Sequence, residues 1–281
     1  MQTANKTVES LVLALASSAK LALQHRCVAV YIMGSLARGG FSETASDIDV
    51  GLLLEEPLQA DDKETIDDLL DKSTREYPSV KNEVSVFWGS VDSINRAGSD
   101  HRYSPFDRLD LIDHAVLIEG TDIRHKLDRP SSKELEVEGV EIALNRFANK
   151  EGSIEFNNPG LMIAKGDLYI AKTILFPARY IYVARTGKSA GHDVSSQYYT
   201  NHYKGDDADL VSLAYQLRLE PTPDSSNGSS RVRVSLLEKG LAPLYHKFID
   251  IYIQRMNGYG EEGLASQLGN WKKTIEPADH I

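Results

Sequence analysis

Tyr31-Ile32-Met33-Gly34-Ser35-Leu36-Ala37-Arg38-Gly39-Gly40, followed closely by Ser46-Asp47-Ile48-Asp49-Val50-Gly51-Leu52-Leu53, is the stretch on which the fold turns. An apolar run ends in Gly-Ser, a Gly-rich turn follows, and a second apolar run carries two aspartates one residue apart. Side chains of a strand alternate between faces, so Asp47 and Asp49 are expected to project from the same face. Ile48, Val50, Leu52 and Leu53 are left to anchor that strand in the core. Two neighbouring carboxylates repel one another unless a cation lies between them, and hard oxygen donors of this kind suit Mg²⁺. Charge on an otherwise apolar core strand is costly unless it is paired or bound to metal. The stretch predicts a metal-dependent, phosphate-handling site early in the chain.

The bulk properties narrow the class. The chain has 281 residues, enough for two domains, and 41% hydrophobic with 26% charged residues are the values of an ordinary globular protein. Its formal net charge of −10 speaks against a protein that grips polymeric nucleic acid, which is held largely by Lys and Arg on phosphates. It suits a small or cationic partner. Cys27 is the single cysteine, so no internal disulfide can form. Met1 to Ser10 is polar without a basic leader, and Leu11 to Leu23 carries Ser17, Ser18 and Lys20 and is too short to span a membrane. A cytoplasmic location with no membrane contact, as monomer or homodimer, is the expectation.

Around the opening stretch the pattern alternates helix and strand. A helix is expected over Val8 to Gln24, a strand over Val28 to Met33, a second strand over Ser46 to Leu54, and a helix over Asp61 to Tyr77. Asn82 to Trp88 reads as a third strand, with Glu83, Ser85 and Phe87 on one face, and Glu83 becomes a third acidic candidate. Asp107 to Glu119 alternates leucines with acids and is expected to end in a fourth strand near Val116 to Ile118. Beyond Arg129-Pro130 the pattern turns helical, over Lys133 to Asn149, Ile163 to Arg185, Asp207 to Leu217 and Ser235 to Met256, with a loop over Pro221 to Ser230. The expected organisation is a mixed α/β domain over residues 1–130 and an all-helical domain over 131–281.

Two strings imitate known motifs. Gly258-Tyr259-Gly260-Glu261-Glu262-Gly263 has dinucleotide-binding spacing but follows a helical segment and sets glutamates where a pyrophosphate would lie. Thr186-Gly187-Lys188-Ser189 ends like a P-loop, yet Tyr182 stands where the first glycine is required. Neither is read as a nucleotide site.

Met33-Gly34-Ser35, then Asp47-Ile48-Asp49-Val50, resembles the nucleotidyltransferase superfamily, whose fold is that of the catalytic domain of DNA polymerase β. Within it the chain is similar to the aminoglycoside adenylyltransferases that modify streptomycin and spectinomycin. The resemblance implies an α+β nucleotidyltransferase domain followed by a helical bundle that clamps substrate and nucleotide. It also implies that Glu83 is the third carboxylate. Arg179-Tyr180-Ile181-Tyr182-Val183-Ala184-Arg185-Thr186-Gly187-Lys188 resembles that family's Arg-x-x-Tyr-x-x-x-Thr-Gly-Lys segment, which implies Arg179 as a phosphate contact. A phosphate-binding lysine of the family falls at His192 here, a departure that bears on nucleotide contact.

The expected chemistry is transfer of AMP from ATP to a hydroxyl of a small acceptor, with pyrophosphate leaving. Asp47 and Asp49 are expected to hold Mg²⁺, and Gly34 to let the backbone approach the phosphates. Ser35, Ser46 and Arg38 are expected to donate to those phosphates, and Glu83 to take the acceptor's proton or to join the metal site. Lys188 and His192 are further candidates at the nucleotide, and Asp167 and Tyr169 at the acceptor. Two alternatives share the same residues: transfer to a protein or another metabolite, and nucleotide sensing without turnover.

Overall fold

The protein is described from a computed structural model, covering residues 5–43, 45–96, 100–219 and 227–275. It divides into two compact units, Met1–Pro130 and Ser131–Ile281.

The first unit is built on a four-stranded sheet of order β3-β2-β1-β4, with β1 at Cys27–Ile32, β2 at Ile48–Leu54, β3 at Val84–Ser90 and β4 at Val116–Gly120. β1 pairs antiparallel with β2 and β4, whereas β2 and β3 run parallel, with Asp49 beside Ser85. A parallel pair needs a crossover, and α3 (Asp62–Glu76) supplies it. α1 (Lys6–Leu23) buries Val8, Leu11, Val12, Leu15, Ala16 and Ala19, an apolar stripe at helical spacing. Asn5 caps it by accepting from the Thr7 and Val8 amides. This stripe packs with Ile66 of α3 against Val30, Ile32, Ile48, Val50 and Leu52, filling one face of the sheet. The opposite face carries Tyr31, Met33 and Leu53, which pack with Tyr103 and Leu111. Asp49 shares the parity of Leu53 and so belongs to this second face.

Three local readings are corrected by the fold. The Gly-rich turn is a short helix, α2 (Gly34–Arg38), and the second strand begins only at Ile48, leaving Asp47 one residue ahead of it. The segment read as alternation from Asp107 is a helix, α5 (Pro105–His114), that follows α4 (Val91–Asn95). Its start was encoded: Ser104 accepts from the Asp107 amide, Asp107 accepts from the Ser104 amide, and Pro105 occupies the first turn.

The second unit is helical throughout its described residues: α6 (Ser132–Phe147), α7 (Lys150–Asn157), α8 (Pro159–Ala164), α9 (Asp167–Thr186), α10 (His192–His202), α11 (Asp206–Leu219), α12 (Asn227–Lys239), α13 (Ala242–Gly258) and α14 (Glu262–Thr274). The long helix expected from Ile163 is broken at Gly166 (φ +91°), and the one expected from Ser235 at Gly240 (φ +64°), left-handed positions that end a helix. The loop expected over Pro221 to Ser230 lies outside the described residues up to 226, and 227–230 already belong to α12. Phe147, Phe156, Tyr245 and Trp271 form an aromatic core, with Phe156 and Tyr245 edge to face at 4.5 Å. Glu136, 1% exposed, is held by two 2.6 Å bonds from Arg255. The two imitation motifs lie at helix ends: Gly187 caps α9 in left-handed conformation, and Gly258 to Gly263 spans the α13–α14 connection. No helix among the described residues is long and apolar enough to cross a membrane.

Candidate active site

The antiparallel β1–β2 pair brings the end of β1 to the start of β2, where the Met33 amide donates to the Asp49 carbonyl at 2.9 Å. The chain turns into α2 at Gly34, whose φ is +61°. A side chain there would be strained by that backbone. It would also collide with the aspartate, since a Cβ on Gly34 would stand 2.0 Å from the Asp49 Oδ2. Gly34 thus makes room for the Asp49 carboxylate itself.

Asp49 sits among like charges. Its pKa is raised to about 7, first by burial, then by Asp47, Asp107 and Asp110, with Arg38 as the opposing charge. Asp107 and Asp110 come from α5, the helix that the alternation reading passed over. Asp110, 6% exposed, accepts the Gly34 amide at 2.7 Å through Oδ2 and pairs with the Arg38 guanidinium through Oδ1. Arg38, expected to donate to phosphate, donates here to the Asp110 carboxylate. The Gly34 amide donates to the same carboxylate.

The other expected residues fall into two groups. Ser35 is half-buried in the first turn of α2. Ser46 is buried and organises the loop before β2: its hydroxyl accepts from the Ser42 amide at 2.9 Å, and its carbonyl accepts from the Asn82 side chain at 2.7 Å. Glu83 immediately precedes β3, its carbonyl accepting from the Ile48 amide at 2.8 Å. It stands two residues before Ser85, the partner of Asp49, and so on the same sheet face, with its side chain exposed.

In the helical unit, Arg179 is half-buried on α9, Lys188 is exposed in the loop after it, and His192 opens α10. Asp167 and Tyr169 are engaged as ties between helices. Asp167 pairs with Arg233 of α12 at 2.8 Å, and Tyr169 donates to Glu155 of α7 at 2.7 Å while Lys165 lies 4.6 Å over its ring. These ties engage Asp167 Oδ1 and the Tyr169 hydroxyl within the helical unit.

Among the described residues no group of three or more His, Cys, Asp or Glu side chains is placed to hold a metal on its own. The donor set nevertheless fits Mg²⁺ carried by a nucleotide. That ion characteristically takes one or two protein carboxylates and completes its shell with phosphate oxygens and water. The pKa of Asp49 is raised first by burial and then by neighbouring carboxylates, and a cation at the site would favour its ionised form.

The comparisons with known proteins agree with this geometry. Residues 19–92 match the family model of the nucleotidyltransferase domain, a span holding Gly34, Ser35, Asp47, Asp49 and Glu83. No curated protein matches the chain in sequence. Among solved structures it is similar to the spectinomycin adenyltransferase AAD(9) from Enterococcus faecialis, crystallised with ATP and spectinomycin. The TM-score is 0.57 at 13% identity, covering 81% of this chain and 98% of that one, a likeness of fold. With the turn and its paired aspartates inside the matched span, the N-terminal unit carries a nucleotidyltransferase domain, and the chain is a transferase with the fold of an adenyltransferase.

Proposed function

We propose that this enzyme transfers AMP from ATP to a hydroxyl of a small cationic acceptor of the aminoglycoside type, with Mg²⁺ accompanying the nucleotide. The observation that carries the reading is the seating of the Asp49 carboxylate against Gly34 within a ring of further carboxylates. That arrangement disfavours the ionised form of Asp49, and a bound cation offsets the cost.

In this reading Asp47 and Asp49 hold the cation, which supplies charge neutralisation at the triphosphate and polarises its oxygens. Asp49 is kept in place by the sheet and by the glycine behind it, so no reorganisation is needed when the nucleotide binds. Ser35, half-buried at the start of α2, is assigned as a donor to the phosphates. Glu83, exposed at the mouth of the same sheet face, takes the proton of the acceptor hydroxyl as its oxygen attacks the α-phosphorus. The bond to the β-phosphate oxygen then breaks and pyrophosphate leaves.

The test is pyrophosphate release with ATP or GTP, Mg²⁺, and spectinomycin, streptomycin or no acceptor. Acceptor-dependent release with ATP supports the reading. Acceptor-independent labelling of protein from labelled ATP assigns the alternative acceptor class. Absence of any turnover, with nucleotide still bound, assigns the sensor.

A further inference from the structure

We propose that Asp110 is a positioning residue of the transfer site, an inference that rests on the nucleotidyl-transfer reading above. α2 is only five residues long, and too short to be stable by its own hydrogen bonds. It is held instead from α5, across 76 positions of sequence, by one carboxylate that takes both ends of the turn. Oδ2 accepts the Gly34 amide at 2.7 Å, and Oδ1 accepts from Arg38. The first bond fixes the residue whose φ of +61° opens space for the Asp49 carboxylate. The second holds Arg38, whose positive charge opposes the carboxylates around Asp49.

The chemistry selects aspartate. Both groups that Asp110 meets are donors, so a side chain with two acceptor oxygens satisfies both. Asparagine must turn its own amide N–H₂ toward either the Gly34 amide or the guanidinium. Leucine leaves both donors without an acceptor, in a site where the carboxylate is 6% exposed. Either change frees the turn to relax toward Asp49, and the cost falls on nucleotide binding rather than on the chemical step.

The same unit contains a matched control. Asp62, 1% exposed, also accepts from one arginine and one backbone amide: Arg26 through two 2.6 Å bonds, and Gln59 at 2.7 Å. It lies at the start of α3, and Arg26 precedes β1, whereas α2 follows the other end of that strand.

The experiment titrates MgATP by calorimetry, without acceptor, into the full-length wild type, Asp110→Asn, Asp110→Leu and Asp62→Asn. All are measured at a temperature where circular dichroism shows each variant folded. Both Asp110 variants are expected to weaken MgATP by at least about tenfold, the scale of one lost charge-assisted hydrogen bond. Asp62→Asn is expected to lower the melting temperature comparably while binding MgATP within about twofold of wild type. In turnover, the Asp110 variants raise KM for ATP more than they lower kcat. Folded Asp110 variants that bind MgATP like the wild type overturn the proposal, as does an equal loss in Asp62→Asn. A wild type that binds no MgATP overturns the transfer reading itself, and this inference with it.

Discussion

At the scale of single residues, Asp49 is where stability and function oppose one another. Its folded pKa of about 7 lies above that of an ordinary aspartate, so the fold favours the protonated form. Between about pH 4 and pH 7 the unfolded chain has already lost that proton while the folded chain keeps it. The nucleotide-free protein therefore loses stability as pH rises through that window. Asp49→Asn removes the charge and is expected to raise stability at pH 8 by about 4 kcal/mol, with little gain at pH 4. Paired thermal melts at the two pH values check this, and the same variant is expected to lose transfer. Gly34→Ala is the reverse case. It forces a Cβ into the Asp49 carboxylate at a left-handed backbone and is expected to cost about 1–3 kcal/mol and most MgATP affinity, measured by denaturation and calorimetry. Glu83→Gln is expected to lower kcat by about 10²–10⁴ with KM for ATP nearly unchanged, in steady-state pyrophosphate release. Asp47 and Asp49 stand out in the sequence as candidates because their charge interrupts an apolar run, whereas Glu83 gains its place from the family resemblance. Asp107 and Asp110 do not stand out, because carboxylates on an amphipathic helix look like any solvated face until the helix is docked.

At the scale of elements, the site depends on a short helix and a long-range partner. α5 begins at a reciprocal cap between Ser104 and Asp107, and the same helix carries Asp110 one turn further on. Ser104→Ala is expected to destabilise the N-terminal unit by about 1 kcal/mol and, by loosening the start of α5, to raise KM for ATP. Chemical denaturation and steady-state kinetics report the two effects separately. The strands and α1 were readable because their burial is periodic and local: Val8, Leu11, Val12 and Leu15 on the helix, Ile48, Val50 and Leu52 on the strand. The breaks at Gly166 and Gly240 were harder to read, since a glycine inside a helical pattern is tolerated as often as it terminates one. Only their left-handed backbone distinguishes them here.

At the scale of the whole molecule, a formal net charge of −10 sets the long-range field an acceptor meets. For a cationic acceptor, kcat/KM is expected to fall with ionic strength between about 0.05 and 0.5 M as screening shortens the Debye length. A neutral acceptor of similar size, measured at saturating MgATP, is expected to lack that dependence. The sequence by itself determined the paired aspartates, the glycine–serine turn before them and the change from mixed to helical character. Each of these is written in neighbouring residues whose spacing obeys the period of a strand or a helix. Only the tertiary structure decided that Asp107 and Asp110 add their charge at Asp49, that Arg38 is held by Asp110, and that Asp167 and Tyr169 tie helices together. Those pairings join residues far apart in the chain, and they exist only once packing has brought their elements within reach of one hydrogen bond.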